Sequence, residues 1–251
     1  MSISVLILAG SRDGERDPLA RMGNVSHKAL LPIQNIPMIE RVLHTLEQVP
    51  EIGRIWVSIE QPDLLAYLKD RITLLQAARS PSESVAQALD LIGTPCLVTT
   101  ADHALLRPEW VTEFLTKSQK ADVDLTAAIA LKSTILRDIP QTKRTYIRLS
   151  DMHFSGCNLF WMASPRSKAV VTLWQHLQRY RKKPLRMAMI LGLPIILRTL
   201  TRTLSSKRLE RRIHTLTGAK IQLIPLSDGR AAVDVDKPAD AILVEQLLSQ
   251  S

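Results

Sequence analysis

Residues 5–9 read Val5-Leu-Ile-Leu-Ala9, a continuous apolar run that gives way to a polar loop after Gly10. An uninterrupted apolar run of this length is typical of a strand whose two faces are both buried, as in a parallel sheet covered by helices. The run has no basic residues before it and leads directly into Arg12 and Asp13, which is not the pattern of a signal peptide. We therefore predict a buried strand here.

Similar apolar runs recur along the chain and alternate with patterns that predict helices. The further predicted strands are residues 55–59, 72–75, 96–100, 125–131, 146–149, 158–161, 221–224 and 231–235. The predicted helices begin near residues 37, 80, 108 and 164, and a last one covers residues 238–248. Strands that alternate with helices in this way form βαβ units. The order predicts an α/β fold with three layers (αβα) and a mostly parallel central sheet.

The composition excludes several classes of protein. Of the 251 residues, 45% are hydrophobic and 23% are charged, a balance that is usual for globular domains and excludes disordered and fibrous chains. Cys96 and Cys157 are the only cysteines, too few for a disulfide framework and without metal-ligand spacing, so we expect a reducing, cytoplasmic setting. Because the sequence lacks a run of about 18 apolar residues, we expect no membrane-spanning helix.

Positive charge is concentrated in one part of the chain. The net charge is +9, but residues 179–212 contain eleven Lys and Arg and a single acidic residue, which gives +10 there and −1 in the remainder. We therefore expect a single domain, residues 1–251, that carries a basic helical insertion at about residues 179–218.

The loop after the first strand has the composition of an anion-binding loop. Gly10, Gly14 and Gly23 fall in it, and the cations Arg12 and Lys28 stand near its two ends. Glycine lets backbone N–H groups approach an anion closely, and the cations neutralise its charge. Ligands of parallel α/β sheets bind beyond the carboxyl ends of the strands, where this loop lies. Its spacing is neither the P-loop nor the Rossmann fingerprint, so an ordinary solvated loop is the alternative.

Three aspartates are candidate metal ligands. Asp102 follows the predicted strand 96–100, so its carboxylate emerges at the same sheet edge, where it could bind Mg²⁺ on a substrate phosphate or cap the next turn. Asp234 and Asp236 precede the last helix, and alternation along a strand places both on one side. This pair predicts a second set of metal ligands, although Asp236 is also a good helix N-cap.

These residues resemble the opening and closing motifs of the MobA-like nucleotidyltransferases. The opening is Leu8-Ala-Gly-Ser-Arg12, then Lys28-Ala-Leu-Leu-Pro32 and Pro37-Met-Ile39, and the closing motif is Asp234-Val-Asp-Lys-Pro-Ala-Asp240. The resemblance covers roughly residues 3–165 and 219–248, and it implies the glycosyltransferase-A-like, Rossmann-like form of the fold. The chain differs from most relatives by Ala9-Gly10 in place of Gly-Gly and by an eighteen-residue path from Gly10 to Lys28.

The resemblance also implies a role for each matching residue. The nucleotide would be bound by Ala9, Gly10, Ser11, Arg12, Lys28, Ser82, Ser84 and Asp102, with Arg12 and Lys28 as the catalytic cations. The ligands of a Mg²⁺ cofactor would be Asp102, Asp236 and Asp234, and the acceptor would contact Gly156 and Asn158.

The implied reaction is Mg²⁺-dependent transfer of a nucleoside monophosphate from a nucleoside triphosphate to a phosphorylated small molecule or lipid head group, with release of pyrophosphate. The alternative within this chemistry is a molybdenum-cofactor-type nucleotidyltransferase with a pterin acceptor. The alternative outside it is a non-catalytic membrane-surface adaptor on a degenerate fold. A degenerate site would be expected to have lost a motif residue, and an enzyme is favoured because all are present: Arg12, Lys28, Asp102 and Asp236.

The centre of the basic segment is apolar. Residues 187–197 are uncharged, and their pattern predicts an interfacial helix or a helical hairpin that bends at Gly192 and Pro194. One hypothesis is that the segment docks on the anionic inner face of a membrane and presents a lipid-linked phosphate to the active site. A helical lid or an oligomer contact with solvated arginines is the alternative. Nucleic acid is disfavoured as a partner because Tyr180 is the only aromatic residue of the segment.

Overall fold

The centre of the molecule is an eight-stranded sheet. The structure is a computed structural model, and it describes residues 2–11, 14–142, 144–180 and 184–250. The strands are β1 (Ile3–Leu8), β2 (Pro32–Ile33), β3 (Ile36–Pro37), β4 (Ile52–Ile59), β5 (Thr73–Gln76), β6 (Cys96–Thr100), β7 (Leu125–Leu131), β8 (Ile147–Arg148), β9 (His153–Met162) and β10 (Ile221–Pro225). Strands β2 and β3 pair with each other in a separate two-stranded sheet. The helices are α1 (Pro18–Met22), α2 (Met38–Glu47), α3 (Pro81–Ile92), α4 (Pro108–Lys120), α5 (Lys132–Asp138), α6 (Ser167–Arg179), α7 (Pro184–Leu191), α8 (Leu193–Leu200), α9 (Ser206–Thr217) and α10 (Pro238–Ser249).

The sheet is mostly parallel, as the sequence predicts. Its strand order is β10-β7-β9-β6-β1-β4-β5, and β8 pairs with the outer part of β9. The pairs of β1 with β4 and β6, of β4 with β5, and of β7 with β10 are parallel. Strand β9 runs antiparallel to β6, β7 and β8. The three-layer α/β class is confirmed, with one reversed strand inserted in the middle of the sheet.

The first strand is buried on both faces because helices cover each side of the sheet. Val5 and Ile7 belong to a core cluster that includes Val42 of α2, whereas Leu6 points to the opposite side and joins a cluster with Leu89 of α3. Each of these strand residues has no solvent exposure. Uniform burial of alternate residues explains why the sequence of β1 is apolar without alternation.

The closing segment differs from its prediction as a strand over residues 231–235. The chain forms a 3-10 turn at Gly229–Ala232 and then runs extended to α10 without joining the sheet. Asp228 begins this turn, because its carboxylate accepts the backbone N–H of Arg230 at 2.9 Å. Such local side-chain bonds compete with strand pairing, and the apolar pattern alone does not reveal them.

The basic segment is helical in its described part. Helices α7 and α8 are separated by Gly192, which has a φ of 90° that glycine adopts without strain. Arg212 of α9 donates from its Nε atom to the carbonyl of Leu191 at 2.6 Å and so ties α9 to the end of α7. None of the described helices is both long enough and apolar enough to cross a membrane.

Candidate active site

A cleft opens at the edge of the sheet where the parallel strands β1, β4, β5 and β6 end. The backbone ladder continues for one residue beyond the strands, since Ala9 donates to Ser58, Ala77 to Ile59 and Ala101 to Leu8, each at 2.9 Å. The loops that follow therefore emerge side by side. The cleft has a volume of about 420 Å³ and is lined by Leu8, Gly10, Ser11, Asp17, Lys28, Ser58, Glu60, Ala77, Ala78, Arg79, Ser80, Pro81, Ser84, Thr100, Asp102 and Asp236.

Lys28 and Asp102 form an ion pair in this cleft. The Lys28 ammonium donates to Asp102 Oδ2 at 3.1 Å, and the two side chains are 18% and 15% exposed. Burial alone would lower the pKa of Lys28, but attraction by Asp102, with smaller contributions from Asp236 and Asp17, raises it above its ordinary value. Lys28 is therefore charged at neutral pH and available to an anionic ligand.

Asp236 reaches the same cleft from the other end of the chain. The extended closing segment passes beside the end of β6, where the Val235 N–H donates to the carbonyl of Asp102 at 2.9 Å. Partial burial, followed by the like charges of Asp234 and Asp102, raises the pKa of Asp236. Two carboxylates thus face one space, and their mutual repulsion is only partly offset by Lys28.

The donor set of this cleft fits a magnesium ion that shares its coordination with a ligand. Asp102 Oδ1 is buried and has no hydrogen-bond partner among the described residues. The described lining also contains more carboxylates than cations: Asp17, Glu60, Asp102 and Asp236 against Lys28 and Arg79. No group of three or more His, Cys, Asp or Glu in the described chain could hold a metal ion. Mg²⁺ ordinarily binds through one or two carboxylates plus substrate phosphates and water, which Asp102 and Asp236 could provide.

Asp234 faces a different environment from Asp236. One of its oxygens accepts from the Arg144 guanidinium, and the other accepts from the Asn158 side-chain amide at 3.1 Å. Arg144 also donates to the carbonyl of Ala232. Asp234 lies in a shallow second pocket of about 270 Å³, which adjoins the cleft through Asp236 and is lined by Arg144, Thr145, Ser155, Asp234, Asp236, Lys237 and Asp240.

The loop after β1 is held by an acidic side chain that the sequence motifs do not include. The Ser11 N–H donates to Glu60 Oε2 at 3.0 Å, and Glu60 Oε1 lies 2.9 Å from the position that a Cβ atom would take at Gly10. A Cβ atom at position 10 would therefore require the Glu60 carboxylate to move, whereas glycine leaves room for this close approach. Ala9 is buried beneath the cleft, and Arg12 lies outside the described residues.

His27 is buried beside this loop and is neutral. Its Nδ1 atom accepts the Ala29 N–H at 3.1 Å, so the proton of the neutral ring is on Nε2, which faces Glu60 Oε2 at 3.3 Å. Burial lowers the pKa of His27 despite the proximity of Glu60. His103 is fully buried, and desolvation lowers its pKa to about 4. Neither ring therefore adds positive charge to the cleft at neutral pH.

The amino end of α3 forms one wall of the cleft. Ser80 caps the helix by accepting the Glu83 N–H at 3.3 Å, and the helix begins where the sequence predicts it. Ser84 lines the cleft and accepts the Ala78 N–H at 2.9 Å. Ser82 is turned away, since it is buried and donates to Gln178 of α6 at 2.7 Å.

The remaining candidates lie on β9 and in the loops around the cleft. Gly156 is an exposed residue of β9, whereas Asn158 acts on the second pocket through Asp234. Sequence reasoning missed four side chains at the two pockets: Asp17, Glu60, Arg79 and Arg144. Glu60 and Arg79 follow the ends of β4 and β5, and this position was the available signal for them. Arg144 carried no such signal.

Comparisons with known proteins agree with this architecture. The family described as the MobA-like NTP transferase domain matches residues 5–175. A hypothetical transferase from Thermus thermophilus has 28% sequence identity and a TM-score of 0.82, with 96% of this chain and 100% of that chain covered. No curated protein sequence matches the chain.

Two further solved structures share the fold at lower identity. CMP:2-keto-3-deoxy-manno-octonic acid synthetase, complexed with CTP, has 15% identity and a TM-score of 0.62 over 99% of each chain. A 4-diphosphocytidyl-2C-methyl-D-erythritol synthase has 14% identity and a TM-score of 0.59 over 98% of each chain.

Proposed function

The chain belongs to the family of MobA-like NTP transferase domains and is a nucleotidyltransferase, and we propose that it transfers a nucleoside monophosphate to a phosphorylated acceptor with release of pyrophosphate. The observation that carries this proposal is the convergence of Lys28, Asp102 and Asp236 at the cleft. These residues come from distant parts of the sequence: Lys28 from the opening motif that resembles the family, Asp102 from the end of β6, and Asp236 from the closing motif.

The reaction is an in-line displacement at phosphorus. An oxygen of the acceptor phosphate attacks the α-phosphorus of the nucleoside triphosphate, a new P–O bond forms, and the bond to the β-phosphate oxygen breaks to release pyrophosphate. Such a reaction requires little covalent chemistry from the protein, so positioning and charge neutralisation supply most of the rate enhancement. This requirement agrees with a cleft that contains cations and carboxylates.

Each charged residue has a part in this mechanism. Mg²⁺, held by Asp102 and Asp236, would neutralise phosphate charge that the acidic cleft otherwise repels. Lys28 would stabilise charge on the α-phosphate and on the leaving group, and Arg12 would assist from the same loop. The N–H groups of Gly10 and Ser11 would contact phosphate oxygens once the Glu60 carboxylate gives up its bond to Ser11. Ser84 and the amino end of α3 would contact the nucleoside.

The acceptor is proposed to occupy the second pocket. This pocket adjoins the cleft through Asp236, so an acceptor bound there lies on the far side of the metal ligands from the nucleotide. Asn158 and Arg144 would shape the pocket by holding Asp234, and Gly156 would leave room beside them on β9. Asp234 is then a positioning residue rather than a ligand of the metal.

The setting of the reaction is part of the same proposal. We place the enzyme in the cytoplasm, which the two unpaired, buried cysteines Cys96 and Cys157 support. One domain would span residues 1–251, with the basic helices of residues 179–218 as an insertion. The family match ends at residue 175, just before this insertion begins.

A thermal-shift experiment tests the nucleotide and metal parts of the proposal. CTP, GTP, UTP and ATP are each added with and without Mg²⁺ to wild type, to Asp102→Asn and to Asp70→Asn. Asp70 is an exposed aspartate that makes no ion pair with a described residue, so its substitution is the matched control.

We expect one triphosphate to raise the midpoint of unfolding of wild type and Asp70→Asn by about 3–6 °C, at concentrations about tenfold above its Kd, only with Mg²⁺ present. Asp102→Asn should lose this shift. If no triphosphate shifts wild type, or if Asp102→Asn responds like Asp70→Asn, the proposed nucleotide site is wrong.

A further inference from the structure

The two short helices of the basic segment have an inner and an outer apolar face. Ile195 of α8 is buried in a cluster with Leu149, Phe154 and Leu204, which attaches the helix to the sheet side of the molecule. The outer side of the same helix presents Leu197 and Leu200, which are 52% and 75% exposed, and on helix α7, which contacts α8, Met189 is 75% exposed. We call the surface formed by Met189, Leu197 and Leu200 the outer apolar face.

Cations lie close in sequence to the residues of the outer apolar face. Residues 179–212 carry eleven Lys and Arg against one acidic residue, and Arg186, Arg198 and Arg202 lie next to the three apolar residues in sequence. Within the described part of residues 184–212, none of the basic side chains makes an ion pair with a described carboxylate. Their charge is therefore available to an anionic partner.

We propose that the outer apolar face docks on an anionic lipid bilayer. Leu197, Leu200 and Met189 would enter the boundary between head groups and acyl chains, while Arg186, Arg198 and Arg202 would contact the lipid phosphates. An amphipathic surface with a basic rim has this mode of binding, in which apolar burial and attraction to anionic lipid add together. The rim arginines also have stems long enough to follow the surface while their charges stay at the head groups.

The charge pattern disfavours the other occupants of this face. A second copy of the chain, paired symmetrically, would bring two segments of +10 against each other. An RNA would contact the arginines, but it would leave Leu197 and Leu200 without a function. A bilayer matches both the exposed leucines and the positive charge of the segment.

The outer apolar face is connected to the wall of the cleft through α6, so docking on a bilayer would also affect which acceptors reach the cleft. Gln178, near the end of α6, contacts Ser82 in the first turn of α3, the helix whose amino end forms a wall of the cleft. Helix α7 begins six residues later, a length of chain that spans at most about 20 Å. Docking would therefore hold the cleft close to the bilayer surface, where it can meet a lipid-linked phosphate. This last consequence rests on the proposed function, whereas the docking itself does not.

Vesicle flotation of the full-length chain tests the proposal. Vesicles with about 30% anionic phospholipid are compared with neutral phosphatidylcholine vesicles at about 0.1 M salt. The test variant is Leu197→Ser with Leu200→Ser. The matched control is Leu91→Ser with Ile242→Ser, because these two residues are 69% and 55% exposed on helices elsewhere in the molecule.

We expect wild type and the control variant to float with anionic vesicles and to stay in solution with neutral ones. The test variant should partition about tenfold less, since the apolar part of the contact is lost. Three results would overturn the docking: no flotation of wild type with anionic vesicles, equal flotation of the test variant, or a wild-type dimer that the leucine substitutions convert to a monomer. Flotation involves no nucleotide, so its failure is distinct from a failure of the thermal-shift experiment.

Discussion

The cleft has an excess of negative charge at its centre, where two aspartates, Asp102 and Asp236, face one lysine, Lys28. Lys28 pairs with one oxygen of Asp102, and the other oxygen is buried without a partner among the described residues. Burial and the like charges of Asp234 and Asp102 raise the pKa of Asp236. Groups of like charge held together in this way lower stability, and functional sites commonly tolerate that cost. The arrangement becomes favourable when a cation joins it.

Replacing Asp236 by asparagine should therefore have opposite effects on stability and on binding. Its side chain makes no described hydrogen bond that the change would remove, and the repulsion with Asp102 and Asp234 disappears. We expect the midpoint of unfolding without ligand to rise by about 1–3 °C, and the Mg²⁺-dependent shift with triphosphate to be lost. Differential scanning fluorimetry measures both, with Asp70→Asn as the control that changes neither.

The stabilising effect of Asp236→Asn should depend on pH. Because the pKa of Asp236 is raised in the folded state, the folded chain binds the proton more tightly than the unfolded chain. The contribution of this proton to the stability of wild type is fully present below the pKa that Asp236 has in the unfolded chain. It is lost as the pH rises through the higher pKa that Asp236 has in the folded chain. The difference in midpoint between variant and wild type should thus grow from acidic to neutral pH. A difference that shrinks over this range would contradict the assignment.

The closing segment is positioned by contacts at both of its ends. Asp240 of α10 accepts the N–H groups of Asp236 and Lys237 at 3.2 and 3.1 Å, and so caps its own helix. Arg144 bonds to Asp234 and to the carbonyl of Ala232. The segment therefore presents Asp236 to the cleft although it belongs to no strand.

Arg144 should be important for the stability of this segment. In Arg144→Met, Asp234 loses its charged partner in a site where the arginine side chain is only 12% exposed. We expect a loss of about 2–3 kcal/mol in the free energy of unfolding, measured by urea denaturation. Arg144→Lys should not restore it, because an ammonium lacks the planar fork that serves a carboxylate and a carbonyl together.

The control for Arg144 is Arg137, whose exposed guanidinium pairs with the neighbouring Asp138. Surface pairs contribute little, so Arg137→Met should cost less than about 1 kcal/mol. Equal losses in the two variants would show that Arg144 does not hold the closing segment.

Strands buried on both faces could be predicted from the sequence, and so could the ends of several helices. Burial from two sides makes residues 5–8 of β1 and 96–98 of β6 continuously apolar, and the proline and serine at the start of α3 act within a few residues. The reversed direction of β9 could not be predicted in this way, because strand direction depends on the whole chain. Asp228 changed the predicted strand 231–235 into a turn through a local bond.

The residues of the candidate site also differ in whether a local sequence pattern predicts them. Asp102 could be predicted because it follows a buried strand, and Lys28 and Asp236 because they stand in sequence motifs that resemble the family. Arg144 could not, since it pairs with a residue 90 positions away and stands in no motif. Glu60 follows β4, but its bond to Ser11 depends on how two loops meet. Tertiary pairing of this kind has no local pattern in a single sequence.

The molecule as a whole combines a nearly neutral transferase body with one strongly basic surface. The body contains the cleft and sums to −1, whereas residues 179–212 sum to +10. The outer apolar face and the cleft share no residue, and they are linked through α6 and α3. If the two surfaces act separately, a change at one should leave binding at the other intact.

This separation can be tested by measuring nucleotide binding in the leucine variant and vesicle binding in the Asp102→Asn variant. Leu197→Ser with Leu200→Ser should keep the full Mg²⁺-dependent thermal shift with triphosphate, because its leucines are exposed and lie outside the cleft. Asp102→Asn should float with anionic vesicles as wild type does, since the basic rim is unchanged. The variant that combines both changes should show the sum of the two separate losses. Loss of the nucleotide shift in the leucine variant would instead mean that α8 acts as a lid over the cleft, which is the alternative that the amphipathic pattern of residues 187–197 allows.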